Sequence, residues 1–135
     1  MYGTILVPID LSYPEQATKV LGIARQIGTG QSRIVALYVS PDIPSFVVGE
    51  LPEELLQRNL ANARKELALH ADQAGAESEV RWGHPSIVIL EYAKDISADL
   101  IIVASHRPGL KDYFLGATAA RVVRHAHCPV LVDRW

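Results

Sequence analysis

One stretch of the sequence combines residue types that could hold a small anionic ligand. It is the polar stretch at residues 105–118, which follows the apolar run at residues 100–104. Within it, Gly116 precedes a segment with helical spacing. Ligands of parallel α/β sheets bind outside the carboxyl ends of the strands, and helix N-termini favour anions. The pattern therefore predicts a site for a small anion in residues 105–118.

Other kinds of chemistry lack the residue patterns that they require. The single cysteine, Cys128, and the histidines show no metal-ligand spacing, and neither a nucleophile elbow nor a complete phosphate-binding P-loop occurs. Neighbouring Ser and His residues at 105 and 106 do not make a nucleophile and base without a third, orienting group. We therefore expect a binding protein and not an enzyme. The histidines are His70, His84, His106, His125 and His127.

Composition indicates a folded domain without an electrostatic reason to bind polyanions. The chain has 135 residues, of which 49% are hydrophobic and 21% charged, and these are values of a globular protein. Its formal net charge is -2, which gives no case for nucleic acid or an anionic membrane surface. We expect one domain over residues 1–135, and neither nucleic acid nor a membrane as a partner.

The apolar runs and the first residues of the sequence indicate where the protein is located. No apolar run approaches the roughly 18 residues that span a bilayer, and the first residues lack the layout of a signal peptide. We expect a soluble, cytoplasmic protein with no membrane insertion.

Cys128 cannot form an internal disulfide, and its place before an apolar run predicts a buried packing residue.

Apolar runs alternate with segments of helical spacing along the whole chain. This alternation predicts a doubly wound α/β fold, with a five-stranded parallel sheet and four helices. The polar character of the third strand predicts a position at an edge of the sheet. The strands are expected at residues 4–9, 33–39, 77–82, 100–104 and 129–133.

Local patterns predict where helices begin and which faces they bury. Ser12 followed by Glu15 has the spacing of a capping box before the first helix, which should end near Gly28. In the third helix the predicted inner face carries Ile87, Leu90 and Ala93. The proline-rich stretch at residues 40–51 is predicted to be a mobile excursion beside the site.

Several pieces of the sequence, in their order and spacing, resemble the universal stress protein family. They are the TILVPID run that ends at Asp10, Tyr38-Val39, Gly83-His84-Pro85, the ADLIIVASH run that ends at His106, and the CPVLV run that begins at Cys128. The likeness covers essentially the whole chain. The stretches Ser105-His106-Arg107-Pro108 and Arg124-His125-Ala126 resemble the F/G-type branch.

The resemblance implies a fold, a function and an assembly. The implied sheet order is 3-2-1-4-5, as in the adenine nucleotide alpha hydrolase-like fold. The implied function is that of a dimeric, nucleotide-responsive stress-response regulator. The homodimer would form by antiparallel pairing of the last strands, from Pro129 to Asp133. ATP or a related adenine nucleotide would bind above strands 1 and 4, and a role for Mg²⁺ stays open.

The site residues are carried over from the family by position. They are Pro8, Ile9, Asp10, Val39, Ala104, Ser105, His106, Arg107, Gly116, Ala117 and Thr118.

The phosphate loop departs from the family pattern G-x-x-G, nine residues, G-[ST]. Ala104 and Arg107 stand at the first two glycines, eight residues precede Gly116, and Ala117 replaces the hydroxyl residue. The Arg107 guanidinium could pair with phosphate, and the Thr118 hydroxyl could substitute for the missing one.

These departures leave alternatives open. Asp10 could bind the nucleoside or simply accept hydrogen bonds from loop amides, and the Val39 side chain could be plain core. The Gly116 position could be an ordinary turn. Three functions remain: a nucleotide-binding stress protein, an interaction module of the same fold that binds no nucleotide, and a slow ATP hydrolase.

Overall fold

The computed structural model describes residues 1–41, 53–105 and 115–134, and in these ranges strands and helices alternate along the chain. The strands form one parallel sheet in the order β3-β2-β1-β4-β5, which confirms the predicted fold. The predicted excursion lies outside the described residues from position 42 onwards. The strands are β1 (Thr4–Pro8), β2 (Arg33–Ser40), β3 (Glu77–Trp82), β4 (Leu100–Ala104) and β5 (Val130–Asp133). The helices are α1 (Pro14–Ile27), α2 (Glu53–Ala74), α3 (Pro85–Asp95) and α4 (Ala117–His125).

The core forms two layers because successive strand residues point to opposite faces of the sheet. Ile5 and Val7 of β1 belong to the apolar cluster under α1 and α2, whereas Leu6 belongs to the cluster under α3 and α4. All three side chains are fully buried. Continuous apolar strands are typical of sheets covered on both faces, and this explains why β1, β2 and β4 read as unbroken apolar runs.

The ladder between β1 and β4 is short. Only Ile5 pairs with Leu100 and Leu6 with Ile101, whereas β1 pairs with β2 over five residues, up to Pro8 and Leu37. Beyond these two pairs β4 continues alongside β5 to Ala104. The carboxyl ends of β1 and β4 are therefore separated at the centre of the sheet, where helices leave towards opposite faces.

The predicted capping box at the start of α1 is wrong. The helix begins at Pro14, its N-cap residue is Tyr13, and no side chain caps it. The Ser12 amide instead donates to Asp10 Oδ1 at 2.9 Å, so a turn around the carboxylate occupies the predicted cap position. The predicted end is confirmed, because the Gly28 amide donates to Ala24 O at the C-cap.

The predicted inner face of α3 is wrong at Ile87, which is 49% exposed. The buried residues of this helix are Ser86, Ile89, Tyr92 and Ala93. Ser86 can occupy the inner face because its hydroxyl shares a 3.1 Å hydrogen bond with His84 Nδ1. A polar residue at a core position was therefore overlooked by a pattern that counts apolar residues alone.

The third strand lies at an edge of the sheet, as predicted, and carries charged side chains. Arg33 Nε donates to Glu77 Oε2 at 2.8 Å, and this hydrogen bond lowers the pKa of Glu77. Both side chains are about half exposed, so solvent screens the pair and it contributes little to the free energy of unfolding.

Within the described ranges, no helix is both long enough and apolar enough to cross a bilayer.

Cys128 is half-buried instead of fully buried, and it packs against the cluster under α3 and α4. Burial, with a smaller contribution from the negative charge of Asp99, raises the pKa of its thiol. The prediction of a packing residue is therefore correct in kind, although the side chain keeps some contact with solvent.

The burial of α2 gives a direct test of the packing. Leu67 is completely buried, whereas Leu69 of the same helix is 59% exposed. Leu67→Ala should lower the free energy of unfolding by about 2–5 kcal/mol, because it removes buried methyl groups and leaves a cavity. The matched control Leu69→Ala should change it by less than about 0.5 kcal/mol. Urea denaturation measures both, and equal effects would contradict this orientation of the helix.

Candidate functional site

A cavity of about 700 Å³ opens where the carboxyl ends of β1 and β4 separate. Cavities of roughly 300–1,000 Å³ are typical of small-molecule sites, and this position is the switch point at which open α/β sheets bind ligands. Its walls come from the ends of β1, β2 and β4 and from the beginnings of α1, α3 and α4. The fold thus brings together backbone and side chains that are distant in the sequence.

The predicted site residues in the described ranges all line this cavity. His106 and Arg107 lie outside those ranges. The lining residues are Pro8, Ile9, Asp10, Val39, Ala104, Ser105, Gly116, Ala117 and Thr118.

The start of α4 offers hydrogen-bond donors to the cavity. Gly116 is the N-cap, and no side chain caps the helix. The amide of Gly116 donates to Ser105 O at 2.6 Å, which fastens the helix start to the end of β4. The N–H groups of the first turn have no acceptor inside a helix, and the helix dipole adds positive character. No acidic residue stands in that turn, so its electrostatic preference is for an anion.

Asp10 lies just beyond β1 and organises the turn into α1. Its Oδ1 accepts the Ser12 amide, and its carbonyl accepts the Tyr13 amide at 3.1 Å. The acceptor role considered from the sequence is therefore present. The carboxylate is exposed at the cavity and has a second oxygen, so the same side chain can also accept a hydrogen bond from a ligand.

Val39 contributes backbone to the cavity, while its side chain is core. The side chain is 9% exposed and packs in the cluster under α3 and α4. Ile9 N donates to Leu37 O, and Gly83 N donates to Ser40 O on the other side of β2. Because the backbone groups alternate in direction along a strand, the amide and carbonyl of Val39 point to the β1 side. The β1–β2 ladder ends at Leu37, so these groups face the cavity.

Sequence reasoning missed Gln16, which is only 6% exposed and lines the cavity. Its side chain amide donates from Nε2 to Asp133 Oδ2 at 2.8 Å. The available signal was a polar residue immediately before the apolar positions Ala17 and Val20 of an amphipathic helix. Tyr13 and Pro85 also line the cavity and were not predicted as site residues.

No metal centre is found among the described side chains, where no three His, Cys, Asp or Glu residues are grouped closely enough to hold an ion.

Comparison with known proteins decides the family. A model of the universal stress protein family matches residues 1–134. The chain belongs to the universal stress protein family. It is 29% identical to Universal stress protein G of Escherichia coli O157:H7, over 99% of this chain and 100% of that protein. It is 34% identical to Universal stress protein MJ0531 of Methanocaldococcus jannaschii, over 98% of this chain and 82% of that protein. Matches named Universal stress protein G support the predicted F/G-type branch.

Solved structures of universal stress proteins share the fold. UspA from Lactobacillus plantarum superposes with a TM-score of 0.78 at 28% identity, covering 98% of each chain. A universal stress protein in complex with cAMP gives 0.68 at 24% identity, covering 98% of this chain and 97% of that one. The Archaeoglobus fulgidus protein in complex with dAMP gives 0.67 at 20% identity and covers 97% of each chain. At these last two identities the likeness concerns the fold alone.

The turn around Asp10 can be tested without any ligand. Asp10→Ala should lower the free energy of unfolding by about 1 kcal/mol, because the Ser12 amide loses its acceptor. Asp10→Asn keeps a side-chain oxygen at that position and should stay within about 0.5 kcal/mol of the wild type. Equal losses in urea denaturation of the two variants would show that the negative charge, and not the acceptor, stabilises the turn.

Proposed function

We propose that this universal stress protein binds an adenine nucleotide, ATP or a relative, in the cavity between β1 and β4, and that it acts as a nucleotide-responsive dimeric regulator. The observation that carries the proposal is the meeting of the Asp10 turn, the Val39 backbone and the start of α4 around one cavity. The proposal includes no chemical step on the nucleotide. Release of phosphate from ATP by the purified protein would contradict that part.

The β1–β2 end of the cavity suits the adenine ring. An adenine edge presents both a donor and an acceptor, and the amide and carbonyl of Val39 offer the complementary pair. Asp10 adds an acceptor beside them, and Ile89 and Val103 supply apolar surface. A flat, partly apolar ring with a polar edge is the ligand that these groups complement.

The β4–α4 end suits the phosphates. The first turn of α4 combines free amide donors with the positive end of the helix dipole, and Thr118 adds a hydroxyl. Ala104, which replaces a glycine of the family pattern, adds only a methyl group. Ala117 lacks the hydroxyl of the Ser or Thr that it replaces, and the Thr118 hydroxyl lies one residue further on. The complexes of the same fold with cAMP and dAMP support an adenine nucleotide as the ligand class.

Calorimetric titration with ATP, ADP and AMP tests the nucleotide site. Gly116→Val should lower ATP affinity about tenfold to hundredfold, because a branched side chain would keep phosphate from the backbone donors. Gly116 has a φ of -65°, which any residue adopts, so the fold should tolerate the change. The matched control is Gly22→Val on α1, where a Cβ would meet no atom within 4 Å. It should leave affinity unchanged.

The alternative function is an interaction module of the same fold. Absence of detectable wild-type binding of ATP, ADP and AMP at millimolar ligand would favour that alternative. Equal losses in Gly116→Val and Gly22→Val would instead remove the phosphate role from the start of α4.

Dimerisation is proposed through the outer edge of β5. This strand pairs with β4 on one side only, and its apolar residues are all partly exposed. Pro129 O and Asp133 O accept hydrogen bonds from β4 and from Ser105, so the backbone groups of Val130 and Val132 point to the free edge. An apolar strand with free edge groups is suited to pairing with a second copy.

Val132→Pro tests this edge. The change removes an outward-pointing amide and should convert a dimer to a monomer. The hydrogen bonds that Pro129 O and Asp133 O accept from β4 and from Ser105 remain. The matched control Val132→Thr keeps the amide and should stay dimeric. Light scattering at micromolar protein measures both, and a monomeric wild type would refute the dimer.

A further inference from the structure

The wall of the cavity that α1 provides contains a buried amide side chain. Gln16 lies in the first turns of α1, faces inwards with Ala17 and Val20, and is 6% exposed. It also lines the cavity. A buried side-chain amide needs hydrogen-bond partners, and the direction of its oxygen and nitrogen decides what it can offer to a ligand.

The direction of the Gln16 amide is fixed by Asp133. Gln16 Nε2 donates to Asp133 Oδ2 at 2.8 Å, and the Asp133 side chain is only 13% exposed. An ionised carboxylate accepts hydrogen bonds and donates none, so the nitrogen of the amide must face it. Lys19 Nζ approaches the same oxygen at 3.2 Å and supplies a neutralising positive charge. The amide therefore cannot reverse without placing oxygen against oxygen.

This arrangement gives the cavity two walls of opposite character. With one N–H of its amide held by Asp133, Gln16 keeps Oε1 as an acceptor in a fixed direction. Asp10 on the same side is an acceptor as well. The start of α4 on the other side presents amide donors. A ligand with donor groups towards the acceptors of the α1 wall and acceptor groups towards the α4 wall complements this arrangement.

We propose that Gln16 is a specificity-determining residue, whose Oε1 accepts a hydrogen bond from a ribose hydroxyl of the bound nucleotide. This inference rests on the proposed function. Phosphate oxygens only accept, so they suit the α4 wall, and the adenine edge is assigned to the Val39 backbone on β2. In a nucleotide the ribose lies between the adenine and the phosphates. Its hydroxyls are the donors that are left to meet the acceptors of the α1 wall. A site of this kind prefers a ribonucleotide to a deoxyribonucleotide.

Calorimetric titration with AMP, 2′-deoxy-AMP and 3′-deoxy-AMP tests the proposal. The wild type should bind AMP about three- to tenfold more tightly than one of the deoxy analogues, the size of one lost neutral hydrogen bond. Gln16→Met has a similar length and no acceptor, and it should reduce this ratio to about one. A purely structural effect on the cavity would weaken all three ligands equally and leave the ratio unchanged.

A paired exchange provides the rescue. In the double variant Gln16→Glu with Asp133→Asn, the new amide at position 133 donates to the new carboxylate at position 16. The second carboxylate oxygen can then accept from the ribose. The ratio between AMP and the deoxy analogue should return, even if the added charge weakens all three ligands. Gln26→Met, at an exposed position of the same helix, is the control and should leave the ratio at the wild-type value.

The possible outcomes distinguish failure of the inference on Gln16 from failure of the proposed nucleotide binding. Loss of the ratio in Gln16→Met and its return in the double variant support the inference. Tight AMP binding without discrimination in the wild type, or discrimination that survives Gln16→Met, overturns the inference and leaves nucleotide binding intact. Absence of AMP binding to the wild type overturns both.

Discussion

The site depends on how early β1 and β4 stop pairing. Two residue pairs join these strands, after which β1 stays with β2 and β4 stays with β5. A parallel sheet must place its crossover helices on its faces, and here α1 and α4 leave neighbouring strands towards opposite faces. No helix can then cover the gap between the two strand ends. The cavity is therefore a consequence of the topology, and local sequence only decides what lines it.

Hydrogen bonds hold the two halves of the sheet together around this gap. Asp133 is their common point, because its side chain accepts from Gln16 and Lys19 of α1 and its carbonyl accepts from Ser105 after β4. Ser105 in turn accepts the amide of Gly116 at the start of α4. The last residue of the last strand thus connects α1, β4 and α4. These bonds fix the distance between the cavity walls where apolar packing is interrupted.

The parts of the fold that depend on burial could be predicted from the sequence. The run at residues 100–104 is fully apolar because β4 is covered on both faces. β3 is polar because it lies at an edge of the sheet, where most of its side chains are exposed. Patterns that depend on competition between hydrogen-bond partners could not be predicted. Ser12 has the spacing of a cap, but its amide donates to Asp10 Oδ1 and no side chain caps the helix.

Gln16 shows the same limit at the site. Nothing near it in the sequence indicates that its partner is Asp133, which is 117 residues away. The residues carried over by family position all line the cavity where the structure describes them, because their placement follows from strand ends and helix starts. A side chain whose role depends on a distant partner has no such local signal, and only the folded arrangement reveals it.

The two edges of the sheet differ in a way that limits growth. Glu77, Glu79 and Arg81 place charge along β3, with side chains exposed by roughly 37% to 57%, whereas three of the four residues of β5 are valine or leucine. Charged edges resist strand addition, and apolar edges invite it. A protein with one edge of each kind can join a second copy about a twofold axis, and the paired sheet then ends in charge on both sides. The proposed assembly through β5 would therefore stop at two copies and would not continue into a fibre.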